Sequence, residues 1–156
     1  MKYITLALIG SVLSTPALAI QPDPTKWTIV KDVDEFTDKV SYSGTIQLIN
    51  EVQPASMFCN DGEVFIGFTG GAYNYKGKFY TSKIRVDKNS PLDVSLMGGS
   101  NSKVHYLTDN SEWLNEFKSG NSVIIETKGI DNESKIVRFN LKNFTKTFNE
   151  VSLNCK

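Results

Sequence analysis

The sequence predicts a mainly β protein: an antiparallel β-sandwich, or a partly open barrel, with two short covering helices and one disulfide. Three observations carry this expectation. Apolar residues alternate in many short runs bounded by Gly, Asn, Asp and Pro, as the strands of half-buried sheets do. Only two segments, around Trp113 and around Phe144, repeat their apolar residues at helical spacing. The 156-residue chain also has two cysteines, Cys59 and Cys155, behind an export signal.

That signal is the opening "MKYITLALIGSVLSTPALAIQPDP". Lys2 is a short basic n-region, Ile4 to Leu13 an apolar h-region, and Ala17-Leu18-Ala19 a small-residue cleavage site after Pro16. The pattern predicts a secretory signal peptide over residues 1–19, ahead of a single domain over residues 20–156. The apolar run is too short to cross a bilayer and no second one follows, so no stable membrane span is expected. No cysteine follows the cleavage site to carry a lipid. The expected location is the periplasm, or the medium after secretion.

Export gives the cysteines a meaning. In an oxidising compartment an even pair forms a disulfide, and one intramolecular pairing exists, Cys59 with Cys155. The alternatives are two free thiols, an intermolecular bond or a metal site. With one histidine, His105, and no close cysteine pair, a metal site has little to build on. Seventeen basic residues balance seventeen acidic ones, which leaves no basic footprint for nucleic acid.

The elements follow in order. "QPDPT" is an extended leader. Trp27, Ile29 and Val33 alternate as one face of a strand, "DEFTDK" is turn-like, and Val40, Tyr42, Ile46 and Leu48 resume the alternation. Pro54 lies in a break. Asn60-Asp61-Gly62 between two apolar runs predicts a hairpin and puts Cys59 just before its turn. "YNYKGKFYTSKIRVDK" predicts a strand or a pair turning at Gly77, with Arg85 and Asp87 on the face opposite Ile84 and Val86. "VSLMGGSNSKVHYLT" predicts two short strands about a Gly-Gly-Ser-Asn turn. "DNSEWLNEFKSG" predicts a helix capped by Asp109, Asn110 or Ser111 and stopped at Gly120. Val123–Lys128 and Lys135–Leu141 predict a hairpin with Asp131-Asn132 in its turn, and "FTKTFNEV" predicts a helix with Phe144, Phe148 and Val151 on one face.

The residues that could carry chemistry are few. There is no G-x-S-x-G nucleophile turn, and a lone strand histidine such as His105 is more often structural than a base. Asp32, Asp34, Glu35 and Asp38 cluster, but in a turn-like segment without Ca²⁺-loop spacing. Arg85 and Asp87 form a candidate ion pair, structural or ligand-binding. Arginine is scarce beside lysine here, so its use at 85 points to geometry that lysine does not supply. Tyr73, Tyr75 and Tyr80, with Phe79, form a candidate aromatic surface for a sugar or a protein.

The order of these features forms a pattern. A tryptophan and an acidic turn precede a cysteine at mid-chain. A strand ending "IRVD" follows, then "WLNEFKSGNSVIIET", then "VRFNLKNFTKTFNEVSLNC" with its terminal cysteine. This resembles the small exported domains of the invasion-associated locus B type and the type VI secretion accessory proteins TagO and VasI, which have phage-borne relatives. The resemblance runs from Trp27 to Cys155. It implies Cys59 and Cys155 as the disulfide, Arg85 and Asp87 as a signature pair, and Phe139, Leu141 and Phe148 as core. The chain departs from it at Lys142-Asn143, where a glycine is common, and in "DVSLMGGSNSK", which lacks a tryptophan-serine element.

The resemblance implies a periplasmic, non-enzymatic binding or adaptor protein that needs no cofactor and contacts an envelope protein or cell-wall component. Secretion-system, virulence and phage superinfection-exclusion roles all use that chemistry. The alternative expectation is a cell-wall hydrolase, or a hydrolase inhibitor that inserts a loop such as "LMGGSNSKVH" into a cleft.

Overall fold

The structure, a computed structural model, describes residues 23–50, 54–107 and 112–156. The expected signal peptide and the expected helix caps at 109–111 lie outside the described residues. The strands are β1 (Thr28–Val33), β2 (Val40–Gln47), β3 (Pro54–Asn60), β4 (Glu63–Phe68), β5 (Phe79–Val86), β6 (Leu92–Gly98), β7 (His105–Leu107), β8 (Ser122–Lys128) and β9 (Ser134–Asn140). Helix α1 (Glu112–Ser119) lies between β7 and β8, and α2 (Phe144–Leu153) follows β9. The nine strands of the described residues join one antiparallel sheet in the order β1-β2-β3-β4-β7-β6-β5-β8-β9, and the sheet is not closed.

Local chemistry sets the turns. Asp34 holds the β1–β2 turn by accepting hydrogen bonds from the backbone N–H groups of Phe36 and Thr37. Between β3 and β4, Asp61 and Gly62 both have positive φ, 50° and 81°, as the tightest hairpin loops require. Asp131 and Asn132 make the β8–β9 turn in the same left-handed region, at φ 58° and 60°.

One face of the sheet is the core. Ile46, Met57, Ile66, Leu96, Ile84, Ile125 and Phe139 line it from successive strands, and all are buried. Trp113 and Phe117 of α1 and Phe144 and Val151 of α2 cover that face. The Phe117 ring meets Trp113, Phe144 and Phe139 edge-on at centroid distances of 4.9, 5.4 and 6.1 Å. Phe139 and Leu141 are buried and Phe148 is half-buried. A Cβ on Gly44 of β2 would stand 2.5 Å from Thr147 Cγ2 of α2, so glycine there lets the helix lie down on the sheet.

Two devices fix how the sheet curls. Trp27 precedes β1 instead of lying within it. Its backbone N–H donates to Lys142 O at 2.9 Å and its indole N–H to Asn140 O at 3.1 Å, which brings the two sheet edges together at that end. Ile49 N–H donates to Arg138 O beside it. The second device is the disulfide between Cys59 and Cys155, with Cα atoms 5.3 Å apart. It ties the end of β3 to Cys155, the second residue past α2, across a sequence separation of 96.

The segment before β5 differs from the strand or pair expected from "YNYKGKFYTSKIRVDK". Residues 69–78 are not strand, and only Phe79–Val86 pairs. Isolated backbone hydrogen bonds, such as Ile130 N–H to Tyr73 O and Gly98 N–H to Lys78 O at 2.8 Å each, hold the segment together with side chains. Asn74 is buried and its amide donates to Val104 O at 2.8 Å, while Gly71 lies flat against the His105 ring.

Candidate functional site

Paired residues in a sheet share a face, so the register assigns the side opposite the core. Four pairings step across five strands there: Phe58 with Phe65, Gly67 with Tyr106, Tyr106 with Met97, and Met97 with Phe79. The result is an apolar, largely aromatic strip over β3, β4, β7, β6 and β5. Phe58, Phe65, Met97 and Tyr106 are half-buried, and Phe79 is 63% exposed. The Phe58 ring stacks on Phe65 at 6.0 Å and meets Tyr106 edge-on at 5.9 Å. Gly67 makes the strip possible, because a Cβ there would lie 2.7 Å from the Tyr106 ring.

Two hollows flank the contact between Phe58 and Tyr106. One, of about 230 Å³, is lined by Phe58, Asn60, Phe65, Met97 and Tyr106. The other, also of about 230 Å³, is bordered by Pro54, Ser56, Gly67, Thr69 and Val104. Aromatic residues and methionine around shallow hollows are what protein-binding surfaces concentrate.

The sequence reading did not single out Phe58, Phe65, Met97 and Tyr106. A signal was present. In "MFC" and "VFIGF" both alternating sets of positions are apolar, so one set had to face away from the core.

The three tyrosines expected to form an aromatic surface do not share one strip. Tyr73 lies in the segment before β5, with Lys103 and Lys135 ammonium groups 4.9 and 5.6 Å from its ring centroid. Tyr75 is 60% exposed, and its backbone N–H donates to the Tyr80 hydroxyl at 2.9 Å. Tyr80 itself turns toward His105, whose ring it meets at 6.5 Å.

Arg85 and Asp87 also part company. β5 ends at Val86, and Asp87 takes a left-handed conformation at φ 49°, which removes it from the strand face. Its carboxylate accepts hydrogen bonds from the backbone N–H groups of Asn121 and Ser122, at 3.0 and 2.9 Å, and from both of their side chains. These donors hold its carboxyl below the usual carboxylate range, the Asn121 N–H most strongly, with burial opposing. Asp87 therefore clamps the start of β8 to the end of β5. Among the described residues, Arg85 has no ion-pair partner.

His105 is fully buried. Its Nε2 lies 2.9 Å from Ala72 O and 3.2 Å from the Asn74 amide nitrogen, and its ring stacks on Phe68 at 5.9 Å. Burial pushes its pKa down, against the opposing hydrogen bond to Ala72, and so favours the neutral imidazole. Asp32 lies in β1, paired with Ser41, and Asp34, Glu35 and Asp38 lie in the β1–β2 turn; all four are exposed. Among the described residues no three potential ligands are grouped to hold a metal ion, and no helix is long and apolar enough to cross a membrane.

No protein-family model and no curated protein sequence matches the chain. Among solved structures, invasion-associated protein B from Bartonella henselae superposes with a TM-score of 0.57 at 12% identity, covering 90% of this chain and 100% of that one. The chain thus shares, at a distance, the fold of invasion-associated protein B.

Proposed function

We infer that the protein is an exported, non-enzymatic binding or adaptor protein, and that the outer face of its sheet contacts an envelope protein or cell-wall component. The aromatic strip carries this reading. Five large apolar side chains stand in register on the face that neither helix covers. The fold does not require them there, since Trp27, Phe68, Phe117, Phe139 and Phe144 already fill the core on the other face. The disulfide is compatible with an oxidising compartment such as the periplasm. The likeness to invasion-associated protein B supports an accessory role related to virulence, and the resemblance to TagO and VasI a secretion-system variant of it.

A photo-crosslinking residue in place of Phe65 or Phe79, in the protein exported from its own host, tests the reading. A discrete envelope-protein adduct from those positions, and none from Lys31, is the expected result. Recovery of wall fragments or wall hydrolases alone moves the weight to the hydrolase or inhibitor alternative. The exposed Ser100–Lys103 loop, beside the hollow at Val104, would then be the segment to alter.

A further inference from the structure

The chain has only two arginines among its seventeen basic residues, and the sheet brings them together. Arg85 of β5 pairs with Ile124 of β8, and Ile124 pairs with Arg138 of β9. All three therefore project from the outer face in one row, with the arginine Cα atoms about 10 Å apart by the spacing of neighbouring strands. Both arginines are exposed and Ile124 is half-buried between them.

The surroundings separate this row from an ordinary solvated surface. Lysines on the same face are neutralised locally: Lys83 by Asp93 and Lys128 by Glu126, each at 2.7 Å. Glu126 faces the same side two residues beyond Ile124, but Lys128 and the Ser134 hydroxyl occupy it. Asp87 is held by Asn121 and Ser122. Among the described residues, neither guanidinium donates a hydrogen bond or forms an ion pair. Two guanidinium forks thus flank an apolar floor, with no counter-ion among the described residues. A guanidinium matches an oxyanion in two-point geometry, and two of them match a doubly charged one.

We propose that Arg85 and Arg138, across Ile124, form a binding site for a phosphomonoester group. The group has two possible sources, a lipid headgroup or a soluble phosphate ester. The site is distinct from the aromatic strip and does not depend on the partner inferred for it.

The test uses the mature, disulfide-bonded protein and inorganic phosphate, followed by NMR at the arginine side-chain N–H groups and the Ile124 methyls. Saturable shifts at both arginines and at Ile124 are expected. Arg85→Gln or Arg138→Gln should each weaken binding about tenfold, the size of one lost charge-assisted hydrogen bond. Neither substitution touches the core, so the melting temperature should stay unchanged. Flotation with phosphatidylcholine vesicles containing phosphatidic acid then separates the sources. Capture that Arg85→Gln abolishes assigns a lipid phosphate, and no capture alongside saturable phosphate binding assigns a soluble ester. Absence of saturable shifts, or Ile124 methyl shifts undiminished in the Arg85→Gln/Arg138→Gln protein, overturns the proposal. Crosslinks from Phe65 and Phe79 report on the aromatic strip alone, so the two readings fail separately.

Discussion

The two faces of one sheet carry apolar residues for different reasons. On the inner face Ile84, Ile125 and Val137 stand in register under the helices and are almost wholly buried. On the outer face Phe58, Phe65, Met97 and Tyr106 also stand in register, but neither helix covers them. The first set removes apolar area from water within the chain, so removing a member opens a cavity. The second set leaves area available, so removing a member should change what the protein touches more than how well it folds. The difference teaches that hydrophobicity in a strand does not identify its role until the opposite face is known.

The largest effect should come from the inner face. Phe117→Ala removes the ring that joins Trp113, Phe139 and Phe144. It should lower stability by about 3–5 kcal/mol in chemical denaturation. A loss below about 1 kcal/mol would mean that the aromatic junction is not the centre of the core.

Next comes the bond that ties the helical cover to the sheet. Cys59→Ser/Cys155→Ser, or reduction, frees the tail that follows α2 from the end of β3. For a closed loop of this size the loss should be about 2–4 kcal/mol, read as a lower denaturant midpoint. An unchanged midpoint would show that α2 packing alone holds that end.

Asp87 gives a smaller, pH-dependent effect. Its folded carboxyl lies below its unfolded value. The stability it contributes is complete above the unfolded value and is lost as pH falls through the folded one. Asp87→Asn keeps a residue that tolerates positive φ, removes the charge and leaves one acceptor oxygen where Asn121 and Ser122 now find two. The melting-temperature gap between the native protein and this variant should close as pH falls below about 4. A gap constant from neutral pH down to about 3 would mean that the charge is not what the turn uses.

Much of the fold was legible in the sequence because its signals are local. Asp61-Gly62 sets a hairpin whatever surrounds it, and Asp131-Asn132 does the same. Helical spacing at Trp113 and Phe117, and at Phe144 and Val151, defined both covers. The expectation of an oxidising compartment pointed to the pairing of Cys59 with Cys155 that the structure has. What was not legible depended on residues distant in sequence. Asp87 leaves the strand face because Asn121 and Ser122, more than thirty residues later, take its carboxylate. Tyr80 turns inward because His105 lies there. The aromatic strip and the arginine row exist only once β7 is placed beside β4 and β8 beside β5, and neither neighbour is sequential.

The smallest stability effect belongs to the outer face, and it tests the central claim that this face binds while the inner face folds. Phe79 is exposed, so Phe79→Ser should shift stability by no more than about 0.5 kcal/mol. The measurement is the yield of envelope adducts crosslinked from Phe65 in cells exporting the Phe79→Ser protein, beside its melting temperature. The account expects a lower yield at an unchanged melting temperature. A full yield at an unchanged melting temperature would contradict it.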